Sequence, residues 1–235
     1  MKKIIFILTL TLIFTCNSED AGDCFQTSGS IIQQEITVNT FSKILVNRDV
    51  ELILTYGLEF EVIIETGENL LNDVGVLVVG DVLQLTDNNT CNYVRDFGIT
   101  KIYVKAPNIT EIRSSTQYDV SSDGILNYNS LHLISEDFNA PDSFTVGDFS
   151  LDVNLTTLRI TTNNISSFYI TGQTEILRIG FFAGVGRFEG RDLIAQHVDV
   201  FHRGCNDMIV NPQQSLTGEL RSTGDLISVN QPLNC

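Results

Sequence analysis

Two pairs of acidic residues, Asp119 with Asp123 and Asp148 with Asp152, have the side-chain type that polysaccharide cleavage uses. A glycosidase holds two carboxyl groups at a controlled separation, and a lyase needs a strong base beside a group that neutralises charge. With 29 Asp and Glu in the chain, such pairs arise by chance, so no catalytic residue is assigned from them. The histidines are His132, His197 and His202. In His197-Val198-Asp199-Val200, the alternation of an extended chain puts His197 and Asp199 on the face opposite the valines. They would make two ligands of a metal site, but a third and fourth are wanting nearby, and neither a metal nor a cofactor is expected. Asp87-Asn88-Asn89 resembles a calcium-loop fragment without its glycine and downstream Glu, and reads as a turn. Neither a Gly-x-Ser-x-Gly elbow nor a phosphate-cradling glycine loop is present. Phe181-Phe182 is either an exposed contact site on a loop or a pair buried at a corner, and burial is the expectation.

The cysteines carry two further kinds of chemistry. Met1-Lys2-Lys3 followed by the apolar run Ile4 to Phe14 has the form of an export signal and is too short to span a bilayer. The run ends Ile13-Phe14-Thr15-Cys16, which is similar to a lipoprotein processing box, with Thr15 bulkier than the usual small residue. Cys16 is therefore the expected lipidation site, where several acyl chains give a stable membrane anchor. Cys24, Cys91, Cys205 and Cys235 remain, an even number in an exported chain, which suits two disulfides. Of the three pairings, Cys24 with Cys91 and Cys205 with Cys235 is expected, one bridge stapling each end of an elongated molecule. The competing zinc reading fails because no two cysteines have structural zinc spacing.

Charge narrows the partners. The formal net charge is −15, and removing Lys2 and Lys3 with the leader lowers it by two, to −17. Nucleic acid is not an expected partner, because its binding depends on basic patches that neutralise phosphates. The expected partners are the membrane, through the lipid anchor, and a carbohydrate or protein ligand at the envelope.

The elements that must position these residues are strands. The chain has four prolines and no tryptophan, is rich in Thr, Ser, Asn, Ile, Val and Leu, and shows no amphipathic helical segment, a composition of strands and turns. Residues 1–15 form the signal and 16–34 a polar tether, and a single domain occupies 35–235. Apolar residues alternate at Ile44 and Val46, Val50, Leu52 and Leu54, Phe60, Val62 and Ile64, Val76 and Val78, Leu83 and Leu85, and Ile102 and Val104, predicting half-buried strands. Gly80-Asp81 predicts a two-residue hairpin loop. Beyond Pro107, apolar pairs led by positions 158, 168, 177, 188, 198, 208, 216 and 227 recur about every ten residues. Two steps make a coil of about twenty residues, and stacked coils bury a core that no single coil can, which predicts a β-solenoid over a β-sandwich. Glycines between the segments, among them Gly172, Gly180, Gly186 and Gly224, are expected at corners with positive φ.

Several segments carry a resemblance to a known family. Phe41-Ser42-Lys43-Ile44, Gly67-Glu68-Asn69-Leu70, Gly80-Asp81-Val82-Leu83-Gln84-Leu85 and Ile102-Tyr103-Val104-Lys105-Ala106-Pro107-Asn108 are similar to strand and turn patterns of the auto-transporter adhesin head GIN domain family. So is the run from Leu216 through Gly218 and Gly224 to Leu226. The resemblance extends from about Phe41 to Pro232. It implies a right-handed parallel β-helix-like domain on the cell envelope, exported and held at the outer membrane, with an adhesion or scaffolding role and no active site to carry over. The closing Ile227-Ser228-Val229-Asn230-Gln231-Pro232 departs from the family by lacking a glycine just before the proline. The alternative function is a polysaccharide-cleaving enzyme on a β-helix, for which a groove of convergent carboxylate and basic residues would be the mark.

Overall fold

A computed structural model describes residues 23–89 and 91–234. The signal segment, Cys16 and Cys235 lie outside them. Short strands come first: β1 (Ile31–Glu35), β2 (Lys43–Val46), β3 (Glu51–Tyr56), β4 (Glu61–Gly67), β5 (Val74–Val79), β6 (Val82–Asp87), β7 (Lys101–Ala106) and β8 (Glu111–Ser114). Five long ones follow, β9 (Val120–Ser135), β10 (Phe149–Thr162), β11 (Phe168–Phe181), β12 (Phe188–His202) and β13 (Met208–Leu220), and then β14 (Leu226–Ser228). The period-two pattern does what pleating requires. Ile44, Val46, Leu52, Leu54, Val62, Ile64, Leu83, Leu85, Ile102 and Val104 are buried while their neighbours along each strand face outward. β5 and β6 pair antiparallel with Val79 opposite Val82, and Gly80 takes a φ of 63° in the expected two-residue loop.

The long strands stack in parallel in the order β9, β10, β11, β12, β13, β14. Phe149, Phe168, Phe188, Met208 and Leu226 stand in register, at intervals of 19, 20, 20 and 18 residues. A second column, Leu131, Leu158, Leu177, Val198 and Leu216, lies farther along the same strands. The ten-residue sequence interval is thus half a repeat, and alternate apolar leaders fall in the same column. In β9, β10 and β11 the inward parity slips once. In β10 it runs Phe149, Leu151, Val153 and Leu155, then Leu158, Ile160 and Thr162, so each strand serves two halves of the sheet.

The two halves continue separately toward the N-terminus. β3 pairs with the start of β9, at Val120 to Ser122, and extends through β7 and β4 to β1. β8 pairs with the end of β9, at His132 to Ile134, and extends through β2 and β6 to β5. One apolar cluster reaches from Phe41 to Val210. Inside it the Phe149 and Phe168 rings stack, centroids 4.8 Å apart, and Phe181 stands 5.8 Å from Phe168.

Three expectations change. The stretch read as tether, 16–34, contains most of β1, whose backbone pairs antiparallel with β4 from Ile31 opposite Gly67 to Glu35 opposite Ile63. Its side chains stay largely exposed, so it carries no hydrophobic signature to reveal it. Leu226, rather than Ile227, enters the inner column opposite Met208, and Ile227 and Val229 are exposed. Most of the glycines relieve close contacts instead of supplying positive φ. A Cβ on Gly186 would stand 2.2 Å from the Ser166 carbonyl oxygen, and on Gly224 2.2 Å from that of Asn206. Cys24 and Cys91 form the expected disulfide; Cys205 is exposed beside Ser222, and its expected partner Cys235 lies outside the described residues.

Candidate functional site

The outer surface of the stack is a grid, because parallel register repeats each outward position about one strand spacing, roughly 4.8 Å, from its counterpart. On the first half of the long strands lies an amide ladder. The Asn154 side chain donates to Asn127 Oδ1 at 2.8 Å, and Gln173 donates to Asn154 Oδ1 at 2.9 Å.

The second half carries arginine and phenylalanine. Along β10 the outward positions are Arg159 and Thr161, with Asn163 just beyond; along β11 they are Arg178 and Gly180, then Phe182. β12 contributes Asp199 and Phe201, followed by Arg203, and β13 contributes Thr217 and Glu219, followed by Arg221. Register places Arg159 beside Arg178, Arg178 beside Asp199 and Gly180 beside Phe201. Pairing runs on past the strand ends, since Phe182 N–H donates to Thr162 O and Arg203 N–H to Phe181 O. A Cβ on Gly180 would meet the Phe182 ring at 2.7 Å, so the missing side chain lets that ring lie back over β11, its centroid 5.2 Å from that of Phe201. Phe181 is fully buried and Phe182 is 47 % exposed: the dipeptide divides between core and surface.

Two depressions meet at Phe182. One, of about 440 Å³, is lined by residues that include Arg159, Arg178, Gly180 and Phe201. The other, of about 540 Å³, is lined by Arg159, Arg203, Phe138 and Asn163 among others. The carboxylates around them are occupied. Glu136 accepts from Arg113 at 2.9 Å and from Asn139 N–H at 2.9 Å. Burial by itself raises its pKa, yet those donors outweigh it and hold the carboxyl below the usual range. Glu219 takes Arg221, and Asp199 accepts from the Thr217 hydroxyl. Among the described residues, Arg159, Arg178 and Arg203 form no ion pair.

His132 adjoins Arg159 in register, and its Nε2 lies 2.9 Å from Thr161 Oγ1. Burial first, and then the charges of Arg159 and Arg113, push the imidazole down from 6.5 to about 4. A histidine depressed on folding binds its proton in the unfolded chain first, so its contribution to stability is complete above pH 6.5 and is lost as pH falls toward 4. Urea titrations should show the wild-type midpoint falling more steeply across that window than the midpoint of His132→Gln. Equal slopes would remove His132 as the cause.

The other sequence-chosen residues serve the fold. Asp119 and Asp148 sit at equivalent positions just before the successive strands β9 and β10: Asp148 N–H donates to Asp119 Oδ1 at 3.3 Å and Ser167 N–H to Asp148 Oδ1 at 2.7 Å. Burial raises the Asp148 carboxyl, the Ser167 N–H opposes this, and the Asp119 charge adds to it. Asp207 and Asp225 repeat the contact. Asp152 donates its backbone N–H to Ser122, and Asp123 is exposed. His197 and Asp199 do share the outer face, but His197 Nδ1 engages Ser215 Oγ at 2.9 Å. Among the described residues no three His, Cys, Asp or Glu side chains gather as metal ligands. Asp87 forms the expected turn, accepting from Asn89 N–H, and also accepts from Thr100. Sequence reasoning missed the arginine face. Its trace was Leu158-Arg159-Ile160 recurring as Leu177-Arg178-Ile179 nineteen residues later, a repeat in which the polar residue is conserved with the apolar pair around it.

Residues 40–232 match the family described as "Putative auto-transporter adhesin, head GIN domain". No curated protein matches the chain. Among solved structures, a "putative adhesin" of Bacteroides fragilis is similar over 89 % of this chain and 99 % of its own, with TM-score 0.70 and 18 % identity. A "putative lipid binding protein" of Parabacteroides distasonis is similar over 88 % and 97 %, with TM-score 0.50 and 13 % identity. A "putative adhesin" of the same species is similar over 86 % and 99 %, with TM-score 0.50 and 12 % identity.

Proposed function

The chain belongs to the auto-transporter adhesin head GIN domain family, and from that premise we propose a non-enzymatic, lipid-anchored envelope protein that binds ligands through the outward columns of its stacked strands. Its mature form starts at an acylated Cys16, and the domain stands on the short polar segment before β1. We read the stack as a right-handed coil, the hand that nearly all parallel crossovers adopt. The observation that carries the binding role is the register-locked grid: identical spacing turns single outward residues into rows, and a row of weak contacts recognises an extended partner where one contact would not. The Cys24–Cys91 bridge supports export to an oxidising compartment. The occupied carboxylates support binding over cleavage, because an acid or base tied to backbone N–H groups or to arginine is not free to move a proton to substrate.

Protease shaving of intact cells, with mass spectrometry of the mature N-terminus, tests the anchor. An acylated Cys16 is expected, and a free amino terminus at that position overturns it. Adhesion of producing and deleted strains to glycan-coated surfaces tests the role. Release of shortened glycans by the purified protein would instead establish the enzymatic alternative.

A further inference from the structure

We infer that the arginine and phenylalanine face on the second half of β10 to β13 is a binding site for a linear polysaccharide bearing carboxylates, that is, a chain of uronate-type sugars. The inference rests on the binding role proposed above and names the ligand class and the residues.

Three observations carry it. The first is charge. In a chain with 29 acidic and 14 basic residues, Arg159, Arg178 and Arg203 are exposed and form no ion pair among the described residues, although the nearby arginines Arg113 and Arg221 do. Unpaired guanidinium groups present planar forks that match a carboxylate with two parallel hydrogen bonds. The second is the aromatic pair. Phe182 lies exposed between the two depressions, with Phe201 beside it, and a phenyl face accepts the C–H surface of a sugar ring as it accepts other apolar surface. The third is layout. Arg159 and Arg178 occupy adjacent strands on one side of the rings, and Arg203 follows Phe201 on the other. Arg159 reaches both depressions. Alternating cation and ring along a strip suits a polymer in which carboxylates and ring faces recur.

The charge balance also separates a polymer from a membrane. A sheet of anionic lipid would face the whole acidic molecule and be repelled by it, whereas a single chain touches the arginine strip alone.

The test uses the exported, processed protein and immobilised polygalacturonate, with carboxyl-reduced polygalacturonate and phosphatidylglycerol vesicles as comparison probes. Binding to the acid polymer is expected to weaken as salt rises. Arg159→Gln and Arg203→Gln should each cost about tenfold in affinity, and Phe182→Ala should also weaken it. Arg191→Gln, at an exposed position on the first half of β12, should leave it unchanged. Equal binding of the reduced polymer, binding indifferent to both arginine changes, or binding confined to the vesicles overturns the inference. If the acid polymer is not bound while the producing strain still adheres better than the deleted strain, this site assignment fails and the adhesion role stands. If the polymer is bound through these arginines and shortened, the site stands and the non-enzymatic role fails.

Discussion

Phe168→Ala should lower the free energy of unfolding by about 3–5 kcal/mol, one of the two largest effects expected in this chain. Phe168 is fully buried, stacked on Phe149 and packed against Phe181, so truncation removes a partner from two rings, one on β10 and one at the far end of β11. A stack of parallel strands closes such a gap poorly, because each long strand packs mainly against its neighbours above and below. Denaturant titration gives the number. The neighbouring Tyr169 points outward and is 44 % exposed, and Tyr169→Ala should cost about 1 kcal/mol or less. A loss at Phe168 no larger than at Tyr169 would contradict the placement of the inner column.

Removing the Cys24–Cys91 bridge is the second large effect. The cysteines are 67 residues apart, and closing a loop of that length is worth about 4 kcal/mol at 25 °C when the whole effect falls on the unfolded chain. The bridge ties the segment before β1 to the loop after β6. Arg95 Nη1 donates to Gln26 O at 3.2 Å across the same two regions, and Gln26 Nε2 donates to Asn69 O, just beyond β4, at 2.8 Å. A Cys24→Ser, Cys91→Ser double variant and the reduced wild type should lose similar amounts in denaturant titration. A loss below about 1 kcal/mol would mean that these hydrogen bonds hold the segment in the absence of the covalent link.

Much of the architecture was legible because burial writes a period onto the chain. Strands β2 to β4, β6 and β7 show one inward residue in two, and the ten-residue interval of the later half corresponds to half of the strand repeat. β1 was illegible for the converse reason: it joins through backbone pairing at an edge and buries little side chain. Ile227 was misplaced by a residue because Leu226, Ile227 and Val229 are all apolar at the end of the stack, where inward and outward sides differ least in burial. The arginine face lies beyond what pattern could assign, since Arg159 on β10 and Arg203 just beyond β12 come together only through the stacking of the strands. Gly180 gave no hint that its missing side chain makes room for a ring two residues on.

The parity rule has a consequence for divergence. In each long strand, alternate residues answer to different constraints, the inner ones to neighbours above and below and the outer ones to whatever approaches from solvent. An outward column can be rewritten position by position while the inward column keeps the stack. The solved relatives retain comparable shapes at 12 to 18 % identity, as such a division of labour allows, and proteins sharing this scaffold are free to read very different surfaces.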